Sequence, residues 1–160
     1  MSKLVLVIDL QKDFINENTI EYVSKIEKLI DSKKYENIVF TKFINSEDSV
    51  WYKKLKYTGC MDNEGQEIVI DTKGNKIIEK TVYSALNNEL REYIKNNNIK
   101  EIYLCGFDTD ACVQKTAIDL FENEYEVYVL KDYCMSTGGI ELHKGIMNNL
   151  KRLIGKKYII

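Results

Sequence analysis

Residues 101–121 read EIYLCGFDTDACVQKTAIDLF, and the hydrophobic period changes part-way along. Glu101 to Cys105 is a short apolar run of the kind that fills a buried strand, and Gly106 to Asp110 is a tight polar connection. From there Val113, Ala117, Leu120 and Phe121 recur at helical spacing, which predicts an amphipathic helix with Cys112 in its first turn. A strand passing through a short turn into a helix is half of a βαβ unit, the building block of a mostly parallel sheet.

The rest of the chain repeats the alternation. Lys3 to Ile8 (KLVLVI) reads as a first buried strand, followed by a helical face of Ile20, Val23, Ile26 and Ile30 and a second strand from Asn37 to Phe43. Residues 45–65 are irregular, with a short helix opened by Ser46 (SEDSVWYKKL). Lys76 to Glu79 predicts a short strand, and Leu86, Leu90, Tyr93 and Ile94 give the next helical stripe. A strand from Glu126 to Lys131, a Gly138-Gly139 break and a last helix burying Leu142, Ile146, Leu150 and Leu153 complete the reading. The fold class is α/β. With 160 residues, 44% apolar and 30% charged, a single domain over residues 1–160 is expected. A chain of this size removes roughly 70% of its unfolded surface from water on folding, so neither a disulfide nor a structural metal is required.

Composition narrows the partners. The 23 basic residues against 25 acidic ones leave a net charge of −2 with no basic stripe, so no nucleic-acid partner is expected. The apolar run from Leu4 to Leu10 is broken by Asp9 and too short for a membrane span, which predicts a cytoplasmic protein with no membrane association. Cys60, Cys105, Cys112 and Cys134 form no CxxC pair and read as free thiols in a reducing compartment. The single histidine, His143, excludes a zinc site built on two or three histidines, and its place in the last helix predicts a solvated or capping role.

Open α/β sheets bind ligands beyond the carboxyl ends of their strands. Asp9 ends the first strand, Lys80 follows the strand beginning at Lys76, and Cys112 opens the helix after Glu101 to Cys105. A thiol attacks only as thiolate, and a helix N-terminus or a neighbouring cation lowers its pKa. Cys112 has the first and Lys80 offers the second, while Asp9 can take the thiol proton and return it to a leaving amine. Singly, each residue also reads as ordinary structure: a small core cysteine, a turn cap, a solvated strand end. Cys60, Cys105 and Cys134 are assigned to the core.

Three segments, VIDLQKDF (7–14), EKTVYSAL (79–86) and CGFDTDACVQKTAIDL (105–120), together resemble the isochorismatase-like cysteine hydrolases, the superfamily that includes nicotinamidases and N-carbamoylsarcosine amidase. The resemblance runs in order over residues 3 to 150. It implies a three-layer α/β/α fold around a mostly parallel, Rossmann-like sheet and an Asp-Lys-Cys triad, which falls on Asp9, Lys80 and Cys112. It also implies a cis peptide between Phe107 and Asp108, and an oxyanion hole made by the backbone N–H groups of Asp108 and Cys112. Gln11, Phe14, Tyr83 and Phe107 are the expected pocket residues, with Trp51, Tyr52 and Tyr57 as further candidates. Because relatives are commonly dimers or tetramers, a homo-oligomer is a further implication.

One departure alters the expected chemistry. Nicotinamidases resemble one another in an Asp and two His residues after the second strand that bind a divalent metal. The corresponding stretch, TKFINSEDSVWYKKLKYTGC (41–60), contains no histidine. Isochorismatase itself is disfavoured, since the vinyl-ether hydrolases of the superfamily lack the cysteine. The expectation is a metal-independent, cofactor-free cysteine amidohydrolase that cleaves a C–N bond of a small carboxamide or carbamoyl compound through a thioester. The alternatives are a silent or thiol-sensing scaffold and a nicotinamidase-like enzyme without the usual metal. A nucleotide- or flavin-binding domain is weaker, because DLQKDF after the first strand has no glycine to admit a phosphate.

Overall fold

In β1 (Lys3–Ile8) every residue from Leu4 onward is buried, and β4 (Glu101–Gly106) is buried from Ile102 onward. Successive strand residues point to opposite faces, so strands buried on both sides require covering on both sides. The computed structural model, which describes residues 2–160, supplies that covering as a three-layer α/β/α arrangement. Its parallel sheet has five strands in the order β3-β2-β1-β4-β5. The remaining strands are β2 (Asn37–Phe43), β3 (Lys76–Lys80) and β5 (Val127–Cys134). The helices are α1 (Ile20–Asp31), α2 (Val50–Leu55), α3 (Asn88–Asn96), α4 (Gln114–Glu122) and α5 (Ile140–Leu153). At the edge, β3 alternates exposed and buried residues from Glu79 back to Ile77, as an edge strand should.

This strand order reverses direction between β1 and β4, so the loops leaving those two strands diverge and open a crevice at their carboxyl ends. Gly106 makes the approach close. Its φ is +115°, and a Cβ there would meet the Ile8 carbonyl oxygen at 2.1 Å, so only glycine lets β4 end tight against β1.

Several boundaries and faces differ from the sequence reading. Strand β5 starts one residue later than Glu126 and runs on to Cys134, because a bulge between Leu104 and Gly106 resets its pairing with β4. Leu86 precedes α3, whose start is set by the Asn87 side chain accepting from the Leu90 N–H at 2.9 Å. The short helix begins after Ser49, not Ser46: Ser49 Oγ accepts from Tyr52 N–H at 3.0 Å. Ile20 and Phe121 are exposed; Leu29 and Thr116 take inner positions on their helices.

The largest correction is in α5. Leu142 and Leu153 face solvent, and the buried stripe is His143, Met147 and Leu150, continued by Ile154 just past the helix end. The face is rotated by one residue because His143 has a partner inside: its Nδ1 lies 2.9 Å from Thr109 Oγ1. His143 is therefore a buried, bonded residue and not a solvated or capping one. Burial pushes its pKa below the ordinary histidine value, against the weaker pull of Asp132. The folded state thus favours neutral His143, and the unfolded chain takes up the proton first as pH falls through about 6.5. Stability is expected to drop more steeply below that pH in the natural chain than in His143→Gln, measured as urea midpoints across the acid range. Parallel midpoint curves would show that His143 does not contribute.

Candidate active site

Asp9 closes β1 in a left-handed conformation with φ 45°, a strained backbone of order 1–3 kcal/mol that turns the chain at the crevice. Its N–H donates to Thr41 Oγ1 at 3.1 Å, and Thr41 Oγ1 donates back to Asp9 Oδ1 at 2.6 Å. The other carboxylate oxygen, Oδ2, lies 2.7 Å from Lys80 Nζ. Apart from that ion contact, no hydrogen-bond partner among the described residues reaches Oδ2.

Lys80 ends β3, two strands away, and crosses the end of β2 with its ammonium 5.3 Å from the Phe43 ring centre. Besides meeting Asp9, it donates to the Val82 and Tyr83 carbonyls at 3.0 and 3.1 Å and lies 3.4 Å from Cys112 Sγ. The three side chains are almost sealed from solvent, with Asp9 0%, Lys80 4% and Cys112 5% exposed. Burial, the largest single influence on Lys80, favours loss of its proton, yet its pKa is raised, with the Asp9 carboxylate the strongest opposing influence. Lys80 stays a cation.

Cys112 departs from expectation in two ways. It sits in a π-helical turn, Thr109–Val113, that precedes α4. There the Asp108 carbonyl accepts from Ala111 and Val113 N–H at 3.2 and 3.0 Å and not from Cys112. π turns are frequent at functional sites because they displace one residue from the helical ladder. The thiol pKa is raised well above the ordinary value, not lowered: burial dominates, the Asp9 charge adds to it, and Lys80 opposes without overcoming them. Burial and the neighbouring Asp9 charge thus favour the protonated thiol over the thiolate.

The Phe107–Asp108 peptide bond is cis. Among the described residues no protein group accepts from the Asp108 N–H. The Asp108 carboxylate is bound by Thr137, whose N–H donates to Oδ1 at 2.6 Å and whose hydroxyl donates to Oδ2 at 2.8 Å. Burial nevertheless pushes the Asp108 pKa up to about 6, against those two bonds.

Cys112 and Asp108 line a cleft of about 570 Å³, together with Phe14, Tyr83, Trp51 and Tyr57. Gln11, Phe107 and Tyr52 are not part of its lining. Gln11 is wholly buried and pins the surrounding chain: its side chain donates to the Phe43 and Gln66 carbonyls and accepts from Phe43 N–H at 2.7 Å. Phe107 is a fully buried core ring beneath the turn. Asp13, Asn16 and Thr137 belong to the cleft and were not singled out from sequence, because they reach it from loops whose course no periodicity describes.

A model of the isochorismatase domain matches residues 3–156. The chain belongs to the isochorismatase domain family. Isochorismatase family protein 2A of Dictyostelium discoideum is 37% identical over 78 residues, which is 48% of this chain and 38% of that protein. Across three such relatives the matched part spans 29% to 62% of their own length. Among solved structures, N-carbamoylsarcosine amidase from Thermoplasma acidophilum superposes with a TM-score of 0.84 at 20% identity, covering 97% of this chain and 94% of that one. The pyrazinamidase of Pyrococcus horikoshii, solved in complex with zinc, gives 0.83 at 24% identity over 99% and 97%. At these identities the superpositions show a shared fold.

The loop after β2 does not fit a metal in this member of the isochorismatase domain family. Asn45 spends its side chain on the loop itself: Nδ2 donates to the Tyr57 and Gly59 carbonyls, and Oδ1 accepts from Ser46 N–H and Ser49 Oγ. Among the described residues no three His, Cys, Asp or Glu side chains gather where they could hold an ion.

Proposed function

We propose that the protein is a metal-independent cysteine amidohydrolase acting on a small carboxamide or carbamoyl compound. The observation that carries this reading is the buried contact of Lys80 Nζ with Asp9 Oδ2 at 2.7 Å and with Sγ of Cys112, which lines the cleft, at 3.4 Å. The family match, and the fold shared with enzymes named as amidases, support it.

The chemistry begins from the neutral thiol. As substrate seats and the carbonyl carbon approaches, Asp9 Oδ2 takes the Sγ proton and the sulfur attacks, so no free thiolate has to persist in the buried site. The oxygen that becomes negative is held by the Asp108 and Cys112 N–H groups. Asp9 then returns its proton to the nitrogen, the C–N bond breaks, ammonia or an amine departs, and a thioester remains on Cys112. Water deprotonated by Asp9 attacks the thioester, expelling the sulfur as the acid forms, and the sulfur regains its proton. Lys80 remains cationic throughout and offsets the negative charge as it passes between Asp9 and Cys112.

The experiment is ammonia release from a panel of primary amides and carbamoyl compounds, with intact-mass detection of an acyl adduct. Activity is expected to survive exhaustive chelation, and Cys112→Ala is expected to abolish both ammonia and adduct. Activity lost on chelation and restored by a divalent ion would refute metal independence. Alkylation of Cys112 without turnover of any amide would point to a thiol-sensing scaffold.

A further inference from the structure

The cleft above Cys112 has a chemical character that amide hydrolysis alone does not demand. Five aromatic side chains line it: Phe14, Phe43, Trp51, Tyr57 and Tyr83. The Trp51 and Tyr83 ring centres are 4.3 Å apart, and Phe43 meets Trp51 nearly edge-on at 6.3 Å, which makes one continuous ring surface. Trp51 is fixed by its Nε1–H, which donates to the Thr81 carbonyl at 3.2 Å.

The charged side chains on the lining are Asp13, Asp108 and Lys56. Among the described residues Lys56 forms no ion pair with either carboxylate, and its ammonium lies 5.4 Å from the Tyr52 ring centre. Lys80, the other nearby cation, is spent on Asp9. The carboxylates are held by neutral donors: Asp13 Oδ2 accepts from the Cys60 N–H at 2.6 Å, and Asp108 is bonded by Thr137. With a pKa near 6, Asp108 is mostly ionised at neutral pH. Ring faces attract cations through their quadrupole, and carboxylates in a partly enclosed cleft attract them through charge. Both features repel an anion.

We infer that the cleft selects a small carboxamide carrying an amine or other cationic group over one carrying a carboxylate. This rests on the amidohydrolase reading for its relevance to turnover, and binding alone can test it.

Trp51 is the only tryptophan of the chain, so its fluorescence reports occupancy directly. Three amides of similar size serve as probes: β-alaninamide (cationic), butyramide (neutral) and succinamate (anionic). They are titrated near neutral pH into the Cys112→Ala variant, which binds without turnover, while ammonia release is measured on the natural protein. The expected order of affinity is cation, neutral, anion, with at least about tenfold between the ends. Asp108→Asn and, separately, Asp13→Asn, each placed in the Cys112→Ala background, are expected to narrow that ratio; two variants guard against one of them misfolding. Succinamate binding as tightly as β-alaninamide overturns the inference, as does the absence of saturable quenching by β-alaninamide. Selective quenching by β-alaninamide with no ammonia from any amide would sink the amidohydrolase reading and leave the charge preference standing. Ammonia release with succinamate preferred would do the reverse.

Discussion

Asp9→Asn is expected to lower amide turnover by about 10²- to 10⁴-fold, the usual contribution of a positioned proton donor and acceptor, while Cys112 remains at least as open to alkylation as before. Cys112 is the cysteine that lines the cleft, and the other three are buried with 0% exposure. Limiting iodoacetamide should therefore label Cys112 first in the natural protein. Removing the Asp9 charge removes one of the two influences that hold the thiol pKa up, and Lys80 remains 3.4 Å from the sulfur. The two readouts thus move apart: ammonia release collapses and labelling holds or quickens. Peptide mass spectrometry with a parallel ammonia assay measures both. Turnover within a few-fold of normal, or labelling of Cys60 or Cys134 with Cys112 inert, would remove Asp9 and Cys112 from the proposed roles.

Lys80→Ala should cost about 3–5 kcal/mol of stability, because it leaves the Asp9 carboxylate buried without its ion partner. The same change should slow alkylation of Cys112, whose thiolate loses its nearest counter-charge. The double variant Asp9→Asn with Lys80→Met should recover much of the lost stability while remaining inactive, since a neutral pair of similar volume has no buried charge to strand. Urea unfolding of the single and double variants measures the effect. If Lys80→Ala costs no more than the ~1 kcal/mol of a solvated ion pair, the contact is not the buried interaction described.

The strands were readable because a strand covered on both faces must be apolar at successive positions, as in KLVLVI and EIYLC. Asp9 and Lys80 stood out by ending such runs. What sequence could not carry was depth. The expected fall in the Cys112 pKa weighed a helix terminus and a lysine, and the structure adds the burial and the Asp9 charge that reverse it. Leu142 outweighed His143 in the hydrophobic pattern of α5, because the partner that lets histidine turn inward, Thr109, lies on another element. Gln11 was adjacent to the site in sequence, but its bonds to Phe43 and Gln66 make it a bracket between the end of β2 and a later loop and not a wall of the cleft.

The strand order has a consequence for how the chain comes to life. Asp9 and Lys80 belong to the β3-β2-β1 side of the sheet, and Cys112 arrives with β4, which joins the opposite edge of β1. An intermediate holding only the early-synthesised half would carry the ion pair but no nucleophile, and a Cys112 not yet docked would titrate as an ordinary solvated thiol. Parallel pairings between residues so distant in sequence are late and slow to close. The sulfur therefore meets the Asp9–Lys80 pair only once β4 has zipped along β1, so the three side chains share one site only in the closed sheet.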